Sequence, residues 1–336
     1  MPWRKSKEAG TIETIITGEG NMRLTCRRSG GGVEITAVET ADRRVVLPET
    51  VWGLPVTALG NRAFSLRPGA AAGERVRVVS GVEQAEGADA AGIVSVTLPD
   101  TLETVGDYAF YNCFALKELR LTDRTVRWGG GALMNCRSLD TFHIRLRDER
   151  AEVLGYFCDE LARELDVTLT YPDGEVVRLL FPEYFEDYEE NTPARHFDYH
   201  IYGGGYPYHH CFWRREFQLR AYDGLWRGLL GMEHSPRCAL RLAYYRLRFP
   251  RGLSESAAAD YLAHLRDRAG DVLDWLLEGR DVEGLAWFLS AARPGTDAVE
   301  RACEQARRLG LSGAVALLLE QGRGRTPVRR EKTFDL

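Results

Sequence analysis

A repeat of 23 residues is the feature of this sequence that most restricts the fold it can adopt. The segment VTLPDTLETVGDYAFYNCFALKELRL begins at residue 96, and its small and apolar positions recur in the segment that follows. A unit of this length cannot bury its apolar side alone, so the repeat predicts several units that stack on one another. The pairs that lie 23 positions apart are Ala109 and Ala132, Cys113 and Cys136, Leu116 and Leu139, Leu119 and Phe142, and Leu121 and Ile144.

Another copy of the unit lies upstream, at residues 45–64. Its sequence, VVLPETVWGLPVTALGNRAF, has the same Leu-Pro start and the same Gly-x-x-Ala-Phe end. Phe64 and Phe110 are 46 positions apart, which is twice 23. The Gly- and Ala-rich stretch 65–92 therefore contains either one degenerate repeat around VRVV, at residues 76–79, or a surface insertion.

These residues resemble the BspA-type leucine-rich repeat family, whose unit reads Leu-Pro, Ile-Gly, Ala-Phe, Cys, Leu and then a short strand. The last copy departs from that pattern at Gly130-Gly131 and Leu133, where the family has a polar residue and Phe, and this indicates a terminal repeat. The resemblance covers about residues 33–146 and implies a short solenoid of stacked strands. In this sequence the pattern falls on Leu98-Pro99, Val105-Gly106, Ala109-Phe110, Cys113, Leu116, and Leu119 to Leu121.

The composition is that of an ordinary folded protein with more than one domain. The chain has 336 residues, of which 44% are apolar and 28% charged, and its net charge is −5. These values exclude a disordered chain and do not indicate nucleic-acid binding. No stretch reaches the roughly 18 apolar residues of a membrane-spanning helix, and no apolar run of a secretion signal follows the first basic residues. Seven scattered cysteines without close pairs predict a reduced, cytoplasmic protein, although many relatives of this repeat type are surface proteins.

Beyond the repeats the hydrophobic pattern changes. VTLTYPDGEVVRLLF, at residues 167–181, predicts a hairpin around Pro-Asp-Gly. From residue 212 onward, short segments carry Leu, Ala and Trp at helical spacing, and the triplets that start at Trp287 and Leu317 are 30 positions apart. Before the hairpin, DERAEVLGYFCDELARELD predicts one amphipathic helix, whose apolar side holds Val153, Leu154, Phe157, Leu161 and Leu165.

The predicted fold class is α+β, with a short leucine-rich repeat solenoid of 23-residue units followed by an all-α domain of helical hairpins. The predicted domains are the repeats with an N-terminal β cap (1–146), a capping helix and β-hairpin (147–181), an aromatic and acidic connector (182–211), a helical domain of ankyrin-like or hairpin type (212–322) and a tail (323–336).

The connector contains the residues that most resemble a metal site. On a strand, alternate side chains share a face, and histidine and carboxylate are zinc ligands. Yet neither His-Glu-x-x-His nor Cys-x-x-Cys is present, and isolated histidines in an aromatic segment more often make structural hydrogen bonds. A metal-dependent activity or a structural zinc site therefore remains the alternative hypothesis. The candidate ligands are His196, Asp198, His200, His209, His210 and Cys211.

The strands of stacked units present alternate residues to solvent, and equivalent residues of neighbouring units lie about 4.8 Å apart. The repeat therefore predicts two columns of outward side chains. Solenoid proteins bind partners with surfaces of this kind, so we predict a scaffold that binds a protein partner, without catalytic activity, cofactor or nucleic-acid binding. One column holds Arg44, Ser95, Glu118 and Thr141, and the other holds Val46, Thr97, Arg120 and His143.

Overall fold

The computed structural model describes residues 4–8, 11–65, 72–80, 92–191, 196–235 and 237–323. The chain divides into two compact units, Met1–Ser235 and Pro236–Leu336. Every described strand lies in the first unit, and the described regular elements of the second unit are all helices. The predicted α+β class is therefore confirmed.

The strands of the first unit, up to the end of the repeats, are numbered in chain order. They are β1 (Arg4–Glu8), β2 (Thr11–Thr17), β3 (Met22–Ser29), β4 (Gly32–Thr40), β5 (Arg44–Val46), β6 (Thr50–Val51), β7 (Leu54–Leu59), β8 (Glu74–Val79), β9 (Ser95–Thr97), β10 (Thr104–Val105), β11 (Glu118–Thr122), β12 (Arg127–Trp128) and β13 (Thr141–Arg145).

One sheet contains the N-terminal strands and one side of the repeats. Its order is β1-β2-β8-β3-β4-β7-β10-β12, and β6 also pairs with β7. Strands β3 and β4 are antiparallel and turn at Gly30 and Gly31, whose φ angles of 55° and 85° lie in the left-handed region that suits glycine. The short antiparallel strands predicted near the N-terminus are therefore present. Strands β7, β10 and β12 run parallel, with Thr104 opposite Arg127 in the next repeat.

The other repeat sheet has six strands, and its register follows the 23-residue repeat. In this sheet β5, β9, β11 and β13 pair in parallel, and Glu118 lies opposite Thr141. Strand β5 pairs directly with β9, so no further unit lies between them. Strand β8, which contains the VRVV sequence, pairs instead with β2 and β3. This segment is therefore an insertion into the repeats, and residues 66–71 and 81–91 on either side lie outside the described residues.

The interior of the repeats consists of residues that recur at the repeat spacing. The rings of Phe64 and Phe110 stack with centroids 4.8 Å apart, and both side chains are fully buried. At the turn of each unit, Arg62, Tyr108 and Gly131 all adopt left-handed φ angles of 54° to 59°. A Cβ atom at Gly131 would lie 2.8 Å from the Tyr108 ring. Close packing of the last unit on its neighbour therefore explains why the pattern changes to glycine there.

Helix α1 (Glu152–Glu160) follows the repeats and is shorter than predicted. Val153, Leu154, Phe157 and Cys158 form its buried side. Leu161 has extended backbone angles, and Leu165 begins strand β14 (Leu165–Thr170), so the prediction of one helix through Leu165 was wrong. The chain leaves the helix early because β14 pairs in parallel with β13 and extends the sheet. Strand β15 (Val176–Phe181) completes the predicted hairpin, which turns at Gly174 with φ 86°.

The predicted connector is folded where the structure describes it. It contains the antiparallel strands β16 (Phe185–Asn191) and β17 (His196–Tyr202) and helix α2 (Tyr206–His209). A short hairpin of β18 (Phe212–Trp213) and β19 (Glu216–Phe217) comes after the connector. Helices α3 (Leu219–Gly224) and α4 (Trp226–Leu229) follow. The Tyr222 hydroxyl donates to the Leu180 carbonyl at 2.7 Å. Residues 212–235 therefore pack with the first unit, whereas the sequence placed the start of the helical domain at residue 212.

The second unit consists of short helices that pack on one another. Helix α7 (Ala269–Glu278) packs against α8 (Val282–Ala292) and α9 (Thr296–Arg308), and α10 (Ser312–Arg323) packs against the same two helices. Val272 and Ala302 are buried at equivalent places 30 positions apart, as are Phe288 and Leu318. Asp281 caps the start of α8 by accepting from the Gly284 amide at 2.7 Å. The helices are α5 (Cys238–Arg248), α6 (Glu255–Asp267), α7 (Ala269–Glu278), α8 (Val282–Ala292), α9 (Thr296–Arg308) and α10 (Ser312–Arg323).

Candidate interaction surfaces

Both predicted columns are present on the six-stranded sheet. Arg44, Ser95, Glu118 and Thr141 lie opposite one another across neighbouring strands, and so do Val46, Thr97, Arg120 and His143. We call these eight residues, together with Asp166 and Thr168 of β14 and Arg178 of β15, the strand face. The register that the sequence predicted for the columns is therefore confirmed.

The exposure of the columns is uneven. Arg44 and Arg120 are exposed, whereas Ser95 is buried with 9% of its surface accessible. The prediction that Ser95 faces solvent is therefore corrected: its short side chain lies in register between the longer side chains of Arg44 and Glu118. The remaining five residues of the columns are half-buried.

The sequence did not show that the strand face continues beyond the repeats. Asp166 of β14 lies opposite Thr141 of β13. Thr168 of β14 lies between His143 of β13 and Arg178 of β15. Arg178 donates to both carboxylate oxygens of Asp166, at 2.9 and 2.8 Å. The alternation of Val167 and Leu169 in the predicted hairpin was a signal that one of its faces is buried.

Charged side chains on the strand face hold one another in place. Arg120 Nε lies 2.5 Å from Glu118 Oε1, and His143 Nε2 lies 3.4 Å from the same oxygen. That oxygen is shielded from solvent and accepts no hydrogen bond of good geometry among the described residues, so its contact with Arg120 is an ion pair rather than a well-aligned hydrogen bond. Burial lowers the pKa of His143, and the nearby Arg120 lowers it further, while Glu118 and Asp166 oppose the shift. The imidazole is therefore neutral at neutral pH.

One family model matches part of the chain. Residues 88–156 match the model described as "BspA type Leucine rich repeat region (6 copies)". This segment is therefore a BspA-type leucine-rich repeat region. Among solved structures, a leucine-rich cell surface protein from Faecalibacterium prausnitzii A2-165 aligns at 22% identity with a TM-score of 0.27. The alignment covers 45% of this chain and 41% of that one. The search of curated proteins found no match.

Leucine-rich repeat regions generally take part in protein–protein interaction. The BspA-type repeats here offer a further exposed surface, on the loops that lead from one repeat sheet to the other. Tyr108, Phe114 and Met134 are 36%, 39% and 48% exposed. The guanidinium of Arg62 lies 5.1 Å from the centroid of the Tyr108 ring, and that of Arg137 lies 5.6 Å from the Phe114 ring. The 23-residue pattern gives no signal for these residues, because their positions vary from one repeat to the next.

The proposed metal ligands behave differently from one another. His209 is fully buried, with Nδ1 3.1 Å from the Cys158 carbonyl oxygen and Nε2 2.9 Å from the Pro182 carbonyl oxygen. His210 Nδ1 lies 2.7 Å from the Tyr206 carbonyl oxygen, and the Cys211 thiol donates to the Pro207 carbonyl at 3.3 Å. These three side chains thus make hydrogen bonds to backbone carbonyl oxygens, in a segment of the chain that follows the BspA-type repeats.

The other three candidates lie on β17. His196, Asp198 and His200 alternate along the strand as the sequence suggested, opposite Asn191, Glu189 and Asp187. Asp198 and His200 are exposed, and the side chain of His196 lies outside the described residues. Within the described ranges, no group of three or more His, Cys, Asp or Glu side chains is arranged to hold a metal ion. In the same ranges, no helix is long and apolar enough to cross a membrane.

Proposed function

We propose that this protein is a non-catalytic scaffold that binds a protein partner through the strand face. The observation that carries this proposal is the fixed arrangement of charge around Glu118, in which Arg120 and His143 contact one carboxylate oxygen on a parallel sheet. Side chains that are already held in position lose little conformational entropy when a partner binds. Their arrangement also favours one partner over another by charge complementarity.

The test is a charge exchange on the strand face. Glu118→Arg combined with Arg120→Glu keeps the composition and reverses the charge pattern that a partner meets. Both side chains are partly exposed, at 25% and 51%, so we expect the stability to change by no more than about 1 kcal/mol. We expect the amount of captured partner in a quantitative pull-down from the native host to fall at least tenfold, with an unchanged thermal melt.

A matched control exchanges a pair on the second unit. Glu304 and Arg308 lie on α9 with an N–O distance of 3.9 Å and are 72% and 77% exposed. Glu304→Arg with Arg308→Glu should leave capture unchanged if the strand face binds the partner. Loss of capture in this control, with normal capture by the strand-face variant, would move the interaction to the helical unit.

We also propose that the protein works in a reducing compartment. All seven cysteines lie in the described part of the chain, where all are buried and none is joined to another by a disulfide. Burial raises the pKa of the Cys26 thiol to about 12, which keeps it in the unreactive protonated form. Fractionation of the native host, with detection of the untagged protein, tests this location. Recovery of the protein in an oxidising extracellular fraction would contradict it.

A further inference from the structure

A hairpin turn outside the repeats has an unusual backbone. Phe212 pairs with Phe217 and Trp213 with Glu216, so Arg214 and Arg215 form a two-residue loop. Their φ angles are 50° and 70°, and two consecutive left-handed residues are typical of a type I′ turn. Such turns favour Asn-Gly, because a side chain disfavours the left-handed conformation. Two arginines here are unfavourable for folding, and unfavourable backbone conformations tend to occur at functional sites.

The side chains at this turn face solvent. Trp213 is 66% exposed, more than any other large apolar side chain that the structure describes. The guanidinium of Arg214 lies 5.9 Å from the centroid of the Trp213 ring, and both arginines are exposed. Within the described residues, neither arginine has a carboxylate within ion-pair distance. Trp and Arg are the residues most enriched at the energetic centres of protein interfaces, so this exposed group is suited to binding rather than to folding.

A cleft lies beside the turn. Its volume is about 660 Å³, and Arg215 and Phe212 line one side of it. The other sides include Arg127 and Tyr156, and the Tyr156 hydroxyl is shielded from solvent without a hydrogen-bond partner among the described residues. Arg127 donates to the Thr104 hydroxyl at 3.1 Å and lies 3.9 Å from Glu103, which leaves most of its donors available. Arg127 therefore presents unused hydrogen-bond donors to the cleft, next to the apolar surface of Phe212.

We propose that Trp213, Arg214, Arg215 and the adjoining cleft form a second docking site, which binds an extended acidic peptide segment of a protein partner. Carboxylates of the segment pair with the two arginines, an apolar side chain packs on Trp213, and a further carboxylate reaches Arg127. The volume of the cleft is suited to a few residues of an extended chain.

Charge distinguishes this partner from a nucleic acid. Glu152 and Asp159 also line the cleft, so a nucleic acid, which carries a charge on every nucleotide, would meet repulsion there, whereas a peptide can place an uncharged residue opposite them. Glu152 is neutralised by Arg150 at 2.8 Å, so the cations dominate at the turn itself. The site is independent of the strand face, and one can fail without the other.

The test uses the full chain and fluorescence anisotropy with three labelled probes. These are the peptide Glu-Glu-Leu-Glu-Glu, its counterpart with Lys in place of Glu, and a ten-nucleotide oligodeoxythymidine. We expect the acidic peptide to bind at low salt, the basic peptide not to bind, and the oligonucleotide to bind at least tenfold more weakly than the acidic peptide. Absence of binding by the acidic peptide, or tighter binding by the oligonucleotide, would overturn the proposal.

The decisive variant is Arg214→Asn with Arg215→Gly, which supplies the residues that the turn prefers. It should melt at the same or a higher temperature than the wild type and bind the acidic peptide at least tenfold more weakly. Trp213→Ala should weaken binding several-fold, and the strand-face exchange at Glu118 and Arg120 should not affect it. Wild-type affinity in the Asn-Gly variant would refute the site, as would loss of binding in the strand-face variant.

Discussion

Replacing Phe110 with alanine should open the repeat core without affecting the helical unit. The Phe110 side chain is fully buried, its ring stacks on Phe64 at an interplanar angle of 19°, and its carbonyl accepts from the Cys136 thiol at 3.2 Å. Removing a buried phenylalanine ring leaves a cavity and costs about 3 to 5 kcal/mol. Since each 1.4 kcal/mol is a factor of ten, the population of the opened repeats should rise about 100- to 4,000-fold.

Cysteine labelling measures this opening in each unit separately. Cys113 and Cys136 are buried in the repeats, and burial raises the pKa of the Cys136 thiol to about 12, so both should react only when the repeats open. Cys303 is buried in the helical unit and serves as the internal reference. Mass spectrometry after timed maleimide labelling should show faster reaction at Cys113 and Cys136 in Phe110→Ala and an unchanged rate at Cys303.

Phe114→Ala is the matched control, because Phe114 lies four positions away in the same repeat and is 39% exposed. It should accelerate the labelling of Cys113 and Cys136 by no more than about twofold, the equivalent of about 0.5 kcal/mol. The assignment of Phe110 to the interior would be refuted by equal labelling rates in the two variants.

Two further predictions concern the backbone and the response to pH. Gly131→Ala should lower the free energy of unfolding in urea by about 1 to 2 kcal/mol, because φ is 59° and the added Cβ meets the Tyr108 ring. Gly130→Ala is the control and should be nearly neutral, since the nearest atom to its Cβ lies 3.9 Å away. Burial lowers the pKa of His209 to about 4 from its ordinary 6.5, so the unfolded chain binds a proton that the folded chain does not. The free energy of unfolding should therefore fall by up to about 3 kcal/mol between pH 6.5 and pH 4, and an equally steep fall in His209→Gln would contradict this origin.

The sequence was informative wherever the core repeats. Leu119 and Phe142 are both fully buried on paired strands, so a spacing of 23 in the apolar residues also determined which outward residues are neighbours. In the same way, helical periodicity located the helices of the second unit, because each buries one side against other helices of that unit. Local pattern and tertiary packing agree in these regions.

The sequence failed where long-range contacts decide the structure. Asp166 pairs with Thr141 at a separation of 25 residues, outside the repeat period, so its place on the strand face could not be read from the pattern. Arginine disfavours the left-handed conformation that Arg214 and Arg215 adopt at their turn. Because the turn lacks the usual Asn-Gly sequence, it could not be predicted from local residue preferences. The side chain of Tyr222 joins its helix to strand β15 through Leu180, a contact that no local pattern encodes.

Site-specific photocrosslinking in the native host tests the central claim, that a protein partner binds the strand face, most directly. A photoreactive amino acid placed at Thr97 or Thr141, both half-buried on the strand face, should give a covalent adduct with one dominant protein. The same amino acid at the exposed Glu304 on α9 should give none. Adding the exchange at Glu118 and Arg120 should abolish the adduct at Thr97 and Thr141. An adduct at Glu304, with none at Thr97 or Thr141, would contradict the account.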